Sequence, residues 1–135
     1  MRVFLDTNII LDVALDRAPF AEGSSNVLGW CGDSADCTLI AWHTFTNVFY
    51  ILSRQEGDVR ARAFLKDLMS WVRLAPTSEF FLHSSLDRAG DLEDVLQYLC
   101  AQAAAADIIV TRDPTGFKPS PVRAVSAEEF LREVK

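Results

Sequence analysis

The sequence predicts an α/β fold, a three-layer α/β/α sandwich around a central parallel sheet of four to five strands, and three features predict it. Short β-rich apolar runs alternate with longer segments of helical periodicity, the pattern of a parallel sheet covered on both faces. Two of those runs, Val3 to Leu5 and Ile108 to Val110, lead into an aspartate, at Asp6 and again at Asp113. At 135 residues, half of them hydrophobic and 24% charged, the chain is long enough for one substantial core and too short for two, so residues 1–135 are expected to form a single domain.

In order, Val3 to Leu5 is the first strand and Asn8 to Leu15 a helix that buries Ile9, Leu11, Val13 and Leu15. Pro19 suits the first turn of a second helix reaching about Trp30, with Gly32 near its end. Thr38 to Trp42 is the second strand, and His43 to Ser53 a helix with Phe45, Val48, Phe49 and Leu52 at helical spacing. Asp58 caps the next helix, whose buried face is Ala63, Phe64, Leu68 and Trp71, and Val72 to Ala75 is a short third strand. Ser78 caps a helix through Ala89 that Gly90 stops, and Leu92 to Ala105 is an alanine-rich helix. Asp107 to Thr111 is the fourth strand, Val122 to Val125 a fifth, and Ser126 to Glu129 a capping box for the terminal helix. Pro114 to Pro121 is the one clear loop, placed beside Asp113 as a candidate site rim.

Composition removes several classes. Cys31, Cys37 and Cys100 are odd in number and lack finger spacing, so they read as reduced, mostly buried thiols of a cytoplasmic protein. Asp6 interrupts any leader-like stretch, and Gln97, Gln102 and Asp107 break the longest apolar region, so neither a secretory signal nor a membrane span is expected. A net charge of −6 and pI near 4.8 argue against a broad basic surface for nucleic acid, although Arg54, Arg60, Arg62, Lys66 and Arg73 cluster, and Arg112, Lys118 and Arg123 flank the last strands. For the first group a solvated helix face with i,i+4 pairs is an equal reading.

The chemistry-bearing pattern is acidic. All strand C-termini of a parallel sheet share one edge, where ligands bind, so Asp6 and Asp113 can meet there although they lie at opposite ends of the chain. Between them, Asp91-Leu92-Glu93-Asp94 opens a helix, with Asp91 and Asp94 three apart on one side of its first turn. Each acid taken singly has an ordinary reading: an N-cap for Asp91, a solvated acid for Glu93, a dipole-stabilised surface acid for Asp94. Together they suit a hard cation, Mg²⁺ or Mn²⁺, because clustered carboxylates repel one another without one.

With Asp6-Thr7-Asn8 at the first strand end, Asp94-Val95-Leu96-Gln97-Tyr98 at a helix start and Thr111-Arg112-Asp113-Pro114-Thr115-Gly116-Phe117 after the fourth strand, the chain resembles the PIN domains over nearly its whole length. Within that family it is similar to the VapC-like toxin ribonucleases. The resemblance implies a ribonuclease in which four acids surround one or two divalent metals. Carried over by position, Asp6, Asp94 and Asp113 match three of them. The family's Thr-x-x-Glu pattern on the helix after the second strand is matched by Thr44-Phe45-Thr46-Asn47, so Asn47 stands at the position of the second acid. An amide oxygen can coordinate Mg²⁺ but brings no charge and cannot act as a base. Asp91 offers a replacement charge, and the chain is similar here to a subgroup that pairs this asparagine with an Asp-x-Glu-Asp segment.

The implied chemistry is in-line attack by a metal-activated water on an RNA phosphodiester, with no nucleophilic side chain. Thr7, Asn8 and Thr111 are candidates to hydrogen-bond a phosphate or water, and Arg112 to contact phosphate, the competing readings being helix caps, turn residues and a salt bridge to a nearby acid. The resemblance further implies a small antitoxin that covers the acidic edge with an arginine, and a homodimer through the aromatic helices from Phe45 to Tyr50 and Phe64 to Trp71. Trp30, Trp42, Trp71, Phe45, Phe49, Phe64 and Tyr50 are expected in core or dimer packing. His43 is expected to find a local backbone partner.

Other classes fit less well. An aspartyl-phosphate phosphatase wants a carboxylate two residues after the first, where Asn8 stands, and a receiver domain wants adjacent acids at the first strand end, where Thr7 follows Asp6. No glycine-rich phosphate loop is present. The alternative is a PIN-like module that binds RNA or protein without cutting, since Asn47 leaves the family's site one charge short.

Overall fold

A computed structural model describes residues 1–135 throughout. Its elements run β1 (Arg2–Leu5), α1 (Thr7–Ala14), α2 (Ala21–Ser34), β2 (Cys37–Ile40), α3 (Trp42–Glu56), α4 (Asp58–Met69), β3 (Arg73–Leu74), α5 (Glu79–Leu86), α6 (Leu92–Ala103), β4 (Ile108–Val110), a 3₁₀ turn (Pro114–Phe117), β5 (Ala124–Val125) and α7 (Ala127–Val134). The strands form one five-stranded sheet in the order β3-β2-β1-β4-β5. All four pairings are parallel, with Val3 opposite both Thr38 and Ile108. No helix is long and apolar enough to cross a membrane.

Side chains alternate across a strand, so the continuous apolar run of β1 supplies both faces of the sheet. Val3 and Leu5 join a core with Ile9, Val27, Val48, Leu65 and Phe130, drawn from α1, α2, α3, α4 and α7. Phe4 points the other way, into a second core with Leu39, Ile109, Tyr98, Leu99 and Phe117, beneath α6. Helices therefore cover both faces, as the apolar periodicity predicts.

The chain leaves β1 toward β2 and β3 on one side, then returns to lay β4 and β5 on the other. That reversal is the switch point of the sheet, and the crevice beyond the C-terminal ends of β1 and β4 is where such a fold opens for a ligand. The backbone N–H of Asp6 donates to the Val110 carbonyl at 3.0 Å, which fixes the end of β1 beside the end of β4.

Element boundaries differ from expectation where local rules met tertiary packing. Helix α2 runs past Trp30 and Gly32 to Ser34, because Val27 and Cys31 continue its buried stripe. Pro19 precedes that helix in a turn and is not in its first turn. Asp58 is not the cap of α4: Gly57, at φ +92°, holds that place in a conformation that favours glycine, and Asp58 pairs with Arg62 at 2.8 Å. Strand β3 is only Arg73–Leu74, exposed at the sheet edge, α5 ends at Leu86, short of Ala89, and α6 ends at Ala103, where Ala105 turns to φ +55°. Ser78, Asp91 and Ser126 cap α5, α6 and α7 through their side chains. Among the aromatics, Trp30, Trp71, Phe49 and Phe64 pack on the core, whereas Trp42, Phe45 and Tyr50 lie on the outer side of α3, at 57%, 38% and 58% exposure.

Candidate active site: an acidic pocket at the sheet edge

One pocket at the switch point is lined by Asp6, Asn8, Asp91, Glu93, Asp94, Thr111 and Asp113, with no apolar and no basic side chain among them. Five of the seven are carboxylates drawn from three separated segments. Asp6 arrives from the end of β1, Asp91, Glu93 and Asp94 from the first turn of α6, and Thr111 and Asp113 from the chain after β4.

Asp6 is the fixed point. It is 4% exposed, and each oxygen is held by a neutral donor: Oδ1 accepts from Gln97 Nε2 at 2.7 Å and Oδ2 from Thr111 Oγ1 at 2.8 Å. Each carboxylate oxygen has a further lone pair, so these bonds orient Asp6 without using up its capacity as an acceptor. Gln97 is fully buried and its Oε1 accepts from the Thr7 N–H at 3.2 Å, so one amide ties α6 to both Asp6 and the start of α1. The Thr111 hydroxyl in turn accepts from the Asp113 N–H at 3.1 Å, setting the turn that presents Asp113.

Asp91 caps α6, its Oδ1 accepting from the Asp94 N–H at 3.1 Å. Asp94 bears the electrostatic load: burial first, then the charges of Asp6, Asp91, Glu93 and Asp113, raise its pKa from 3.8 to about 6. Gly116 completes the wall. A Cβ there would stand 2.7 Å from Asp94 Oδ2 and 3.3 Å from Asp113 Oδ2, so both oxygens face one small space that only glycine leaves open.

The donor set fits a hard divalent cation, being all oxygen, strongly anionic and free of thiolate or imidazole. As the side chains stand, no three acids, histidines or cysteines close on a common point.

Several expected site residues lie elsewhere. Asn47 is half-buried on α3 and is not part of the pocket lining, while Glu93, expected to be a solvated acid, is. Thr7 is buried and shares a 2.8 Å hydrogen bond between its hydroxyl and that of Thr44, so it faces the protein interior and not an incoming phosphate. Thr111 is fully buried, with its hydroxyl committed to Asp6 and Asp113. Arg112 turns toward Asp12, with Nε 3.3 Å from Oδ2, and lies 4.2 Å from the centre of the Phe20 ring. Of the four candidates for phosphate contact, Asn8 and Thr111 line the pocket, and the Thr111 hydroxyl is already engaged with Asp6 and Asp113. His43 has no partner for its Nε2, which is buried. The sequence signal for Gln97 is a polar residue inside the apolar run Val95 to Ala101, three places after Asp94 and so on the same face.

Residues 2–115 match the family model of the PIN domain. The curated protein Ribonuclease VapC1 of Aquifex aeolicus (strain VF5) is 23% identical over 135 residues, spanning 96% of this chain and 92% of that protein. Among solved structures, VapBC2 from Rickettsia felis, bound to a DNA fragment from its promoter, superposes with a TM-score of 0.70 at 19% identity, covering 93% of this chain and 98% of the matched chain. Mycobacterium tuberculosis VapC20, described as a sarcin-ricin loop cleaving toxin, gives 0.64 at 11% identity over 79% and 86%. At these identities the solved structures establish a shared fold.

Proposed function

We propose that this chain, which belongs to the PIN-domain family, is a metal-dependent endoribonuclease that hydrolyses RNA phosphodiesters in the acidic pocket, and that it is the toxin of a toxin–antitoxin pair. The observation that carries the reading is the gathering of Asp6, Asp91, Glu93, Asp94 and Asp113 on one pocket at the switch point of the sheet. Its likeness to a ribonuclease and to a toxin that cleaves RNA supports the substrate class.

A phosphodiester is an anion and would be repelled by five carboxylates with no basic side chain beside them. Asp6, Asp94 and Asp113 are the proposed ligands of Mg²⁺ or Mn²⁺, with Asp91 and Glu93 bringing the charge that Asn47 does not. Asp91 and Asp113 are exposed, which leaves their carboxylates free to rotate onto an ion. Such an ion, when bound, supplies charge neutralisation at the phosphate and activation of the attacking water. The chain's own part is orientation: Gln97 and Thr111 hold Asp6, the Asp91 cap holds the start of α6, and Gly116 leaves room against Asp94 and Asp113. Asn8 offers an amide to a phosphate oxygen. Asn47, away from the lining, has no catalytic part in this scheme.

The same reading makes residues 1–135 a single domain of a cytoplasmic protein. It supplies an antitoxin partner over the acidic edge, in line with the VapBC assembly that shares the fold. It also assigns a homodimer to the outer face of α3 and α4, where Phe45, Phe49, Leu65 and Met69 line an apolar cleft.

Cleavage of single-stranded RNA with Mn²⁺ or Mg²⁺ tests the reading. Asp6→Asn and Asp94→Asn should each lower the rate by about 10²-fold or more. Cleavage that survives both substitutions excludes the mechanism, and wild-type protein that binds RNA but never cuts it is a binding module.

A further inference from the structure

A second cavity, of about 380 Å³, is lined by Trp42, His43, Thr77, Leu82, Leu96 and Cys100. Two links join the two spaces. Leu96 and Cys100 lie on α6, whose first turn carries Glu93 and Asp94, and His43 feels the charges of both Glu93 and Asp6. Trp42, the first residue of α3, is 57% exposed, leaving much of a large aromatic surface open to solvent. The neighbouring His43 has a buried Nε2 without a hydrogen-bond partner. Burial pushes its pKa below the ordinary value, against the opposing pull of Glu93 and Asp6, which favours at neutral pH the uncharged ring with one donor and one acceptor nitrogen.

We propose that this cavity is a subsite for one unpaired nucleobase of the RNA whose phosphodiester enters the acidic pocket, the base stacking on Trp42 and presenting its polar edge to His43 and Thr77. The proposal rests on the ribonuclease reading of the acidic pocket and adds to it the recognition of an unstacked base. A nucleobase has an aromatic face and a rim of donors and acceptors, and single-stranded RNA is recognised by such splayed bases on aromatic side chains. The cavity supplies both kinds of contact: an indole, two aliphatic side chains and a thiol for the face, an imidazole and a hydroxyl for the edge. An amphipathic helix of a protein partner would call for an apolar trough without an unpaired imidazole in its wall. Adjacency to the acidic pocket is what a nucleotide demands, since its base is tethered to its phosphate through a single sugar.

The test uses the Asp94→Asn protein, which on this reading binds without cutting, and a short fluorescein-labelled single-stranded RNA followed by anisotropy with Mn²⁺ present. Trp42→Ala in that background should weaken binding about tenfold or more, and Trp42→Phe, which keeps a ring, should recover most of it. A scan of single abasic sites along the RNA should find one position whose loss weakens binding to the Trp42 protein but adds nothing to Trp42→Ala. Trp42 is more than half exposed, so the substitution leaves the core intact, and an unchanged thermal melt documents it. Unchanged affinity in Trp42→Ala, or no abasic position coupled to it, overturns the subsite. So does Trp42→Ala protein that keeps its RNA affinity but no longer captures the antitoxin, which would make the cavity a protein site. If the Asp94→Asn protein binds no RNA and the wild type cuts none, the reading of the acidic pocket falls and takes the subsite with it. Wild-type cleavage with no dependence on Trp42 removes the subsite alone.

Discussion

Two aspartates at one short helix meet opposite surroundings. Asp6 caps the start of α1 and Asp12 lies in its second turn, and both are buried, at 4% and 0% exposure. Asp12 is matched by cations: Arg112 Nε is 3.3 Å and Arg17 Nη1 3.9 Å from its oxygens, and the Ser24 hydroxyl donates to Oδ2 at 3.4 Å. Burial still raises its pKa, with the two guanidinium groups and Ser24 pulling it back down. Asp6 has only the neutral Gln97 amide and Thr111 hydroxyl, in a pocket whose charged members are all acids. A buried carboxylate with internal cations is a strut, whereas one held by neutral donors among other acids keeps its charge for something from outside. Arg112 shows the division most clearly, because it directly precedes Asp113 yet spends its guanidinium on Asp12 and on the Phe20 ring.

Arg112→Met is the sharpest way to break that contrast. It leaves Asp12 buried with Arg17 alone, at 3.9 Å, and should cost about 2–3 kcal/mol in urea unfolding, somewhat less than the usual loss for an orphaned buried charge. Cleavage by the protein that remains folded should persist. If stability is unchanged and RNA affinity falls instead, Arg112 belongs to the substrate and the two aspartates are not as different as their neighbours suggest.

The other side of the contrast is probed at Gln97. Gln97→Ala removes the donor to Asp6 Oδ1 and the acceptor for the Thr7 N–H together, and should weaken Mn²⁺ binding, measured by calorimetric titration, about 10–100-fold, the usual cost of losing a group that orients a metal ligand. An unchanged affinity would mean that Asp6 is positioned by its backbone and Thr111 alone.

The fold was legible because its signals are local and repeated. The apolar run of β1 feeds both faces of the sheet, the helical stripes around Val48 and Leu68 reach the core, and Ser78 and Ser126 cap the helices that follow them. Asp6, Asp94 and Asp113 were legible for the same reason, since a strand end or a helix start places a side chain whatever its neighbours are. Asn47 and Thr7 were not, because a position matched along the chain does not report which way a side chain turns on its helix. Asn47 lies outside the lining and Thr7 spends its hydroxyl on Thr44, 37 residues further along the chain, a contact only the packed helices reveal. Trp42, expected in core or dimer packing, is more than half exposed where β2 hands over to α3.

The smallest expected effect is on stability, and it has a definite sign. Asp94 binds its proton more tightly in the folded protein than at its ordinary pKa of 3.8, so its contribution is fully present below about pH 4 and is lost as pH rises through about 6. In metal-free protein, Asp94→Asn should therefore be more stable than wild type at neutral pH, and the gain should vanish below about pH 4. The span from 3.8 to about 6 corresponds to about 3 kcal/mol unscreened, and because Asp94 is only partly buried, water should reduce the gain to about 1 kcal/mol. Urea unfolding across that pH range, with chelator, measures it. Millimolar Mn²⁺ should then reverse the order, because an ion that binds only the folded wild type stabilises it by mass action. Asp12→Asn makes the complementary comparison, since it strands Arg17 and Arg112 and should destabilise at neutral pH. A gain from both substitutions, or from neither, would erase the distinction between the two aspartates.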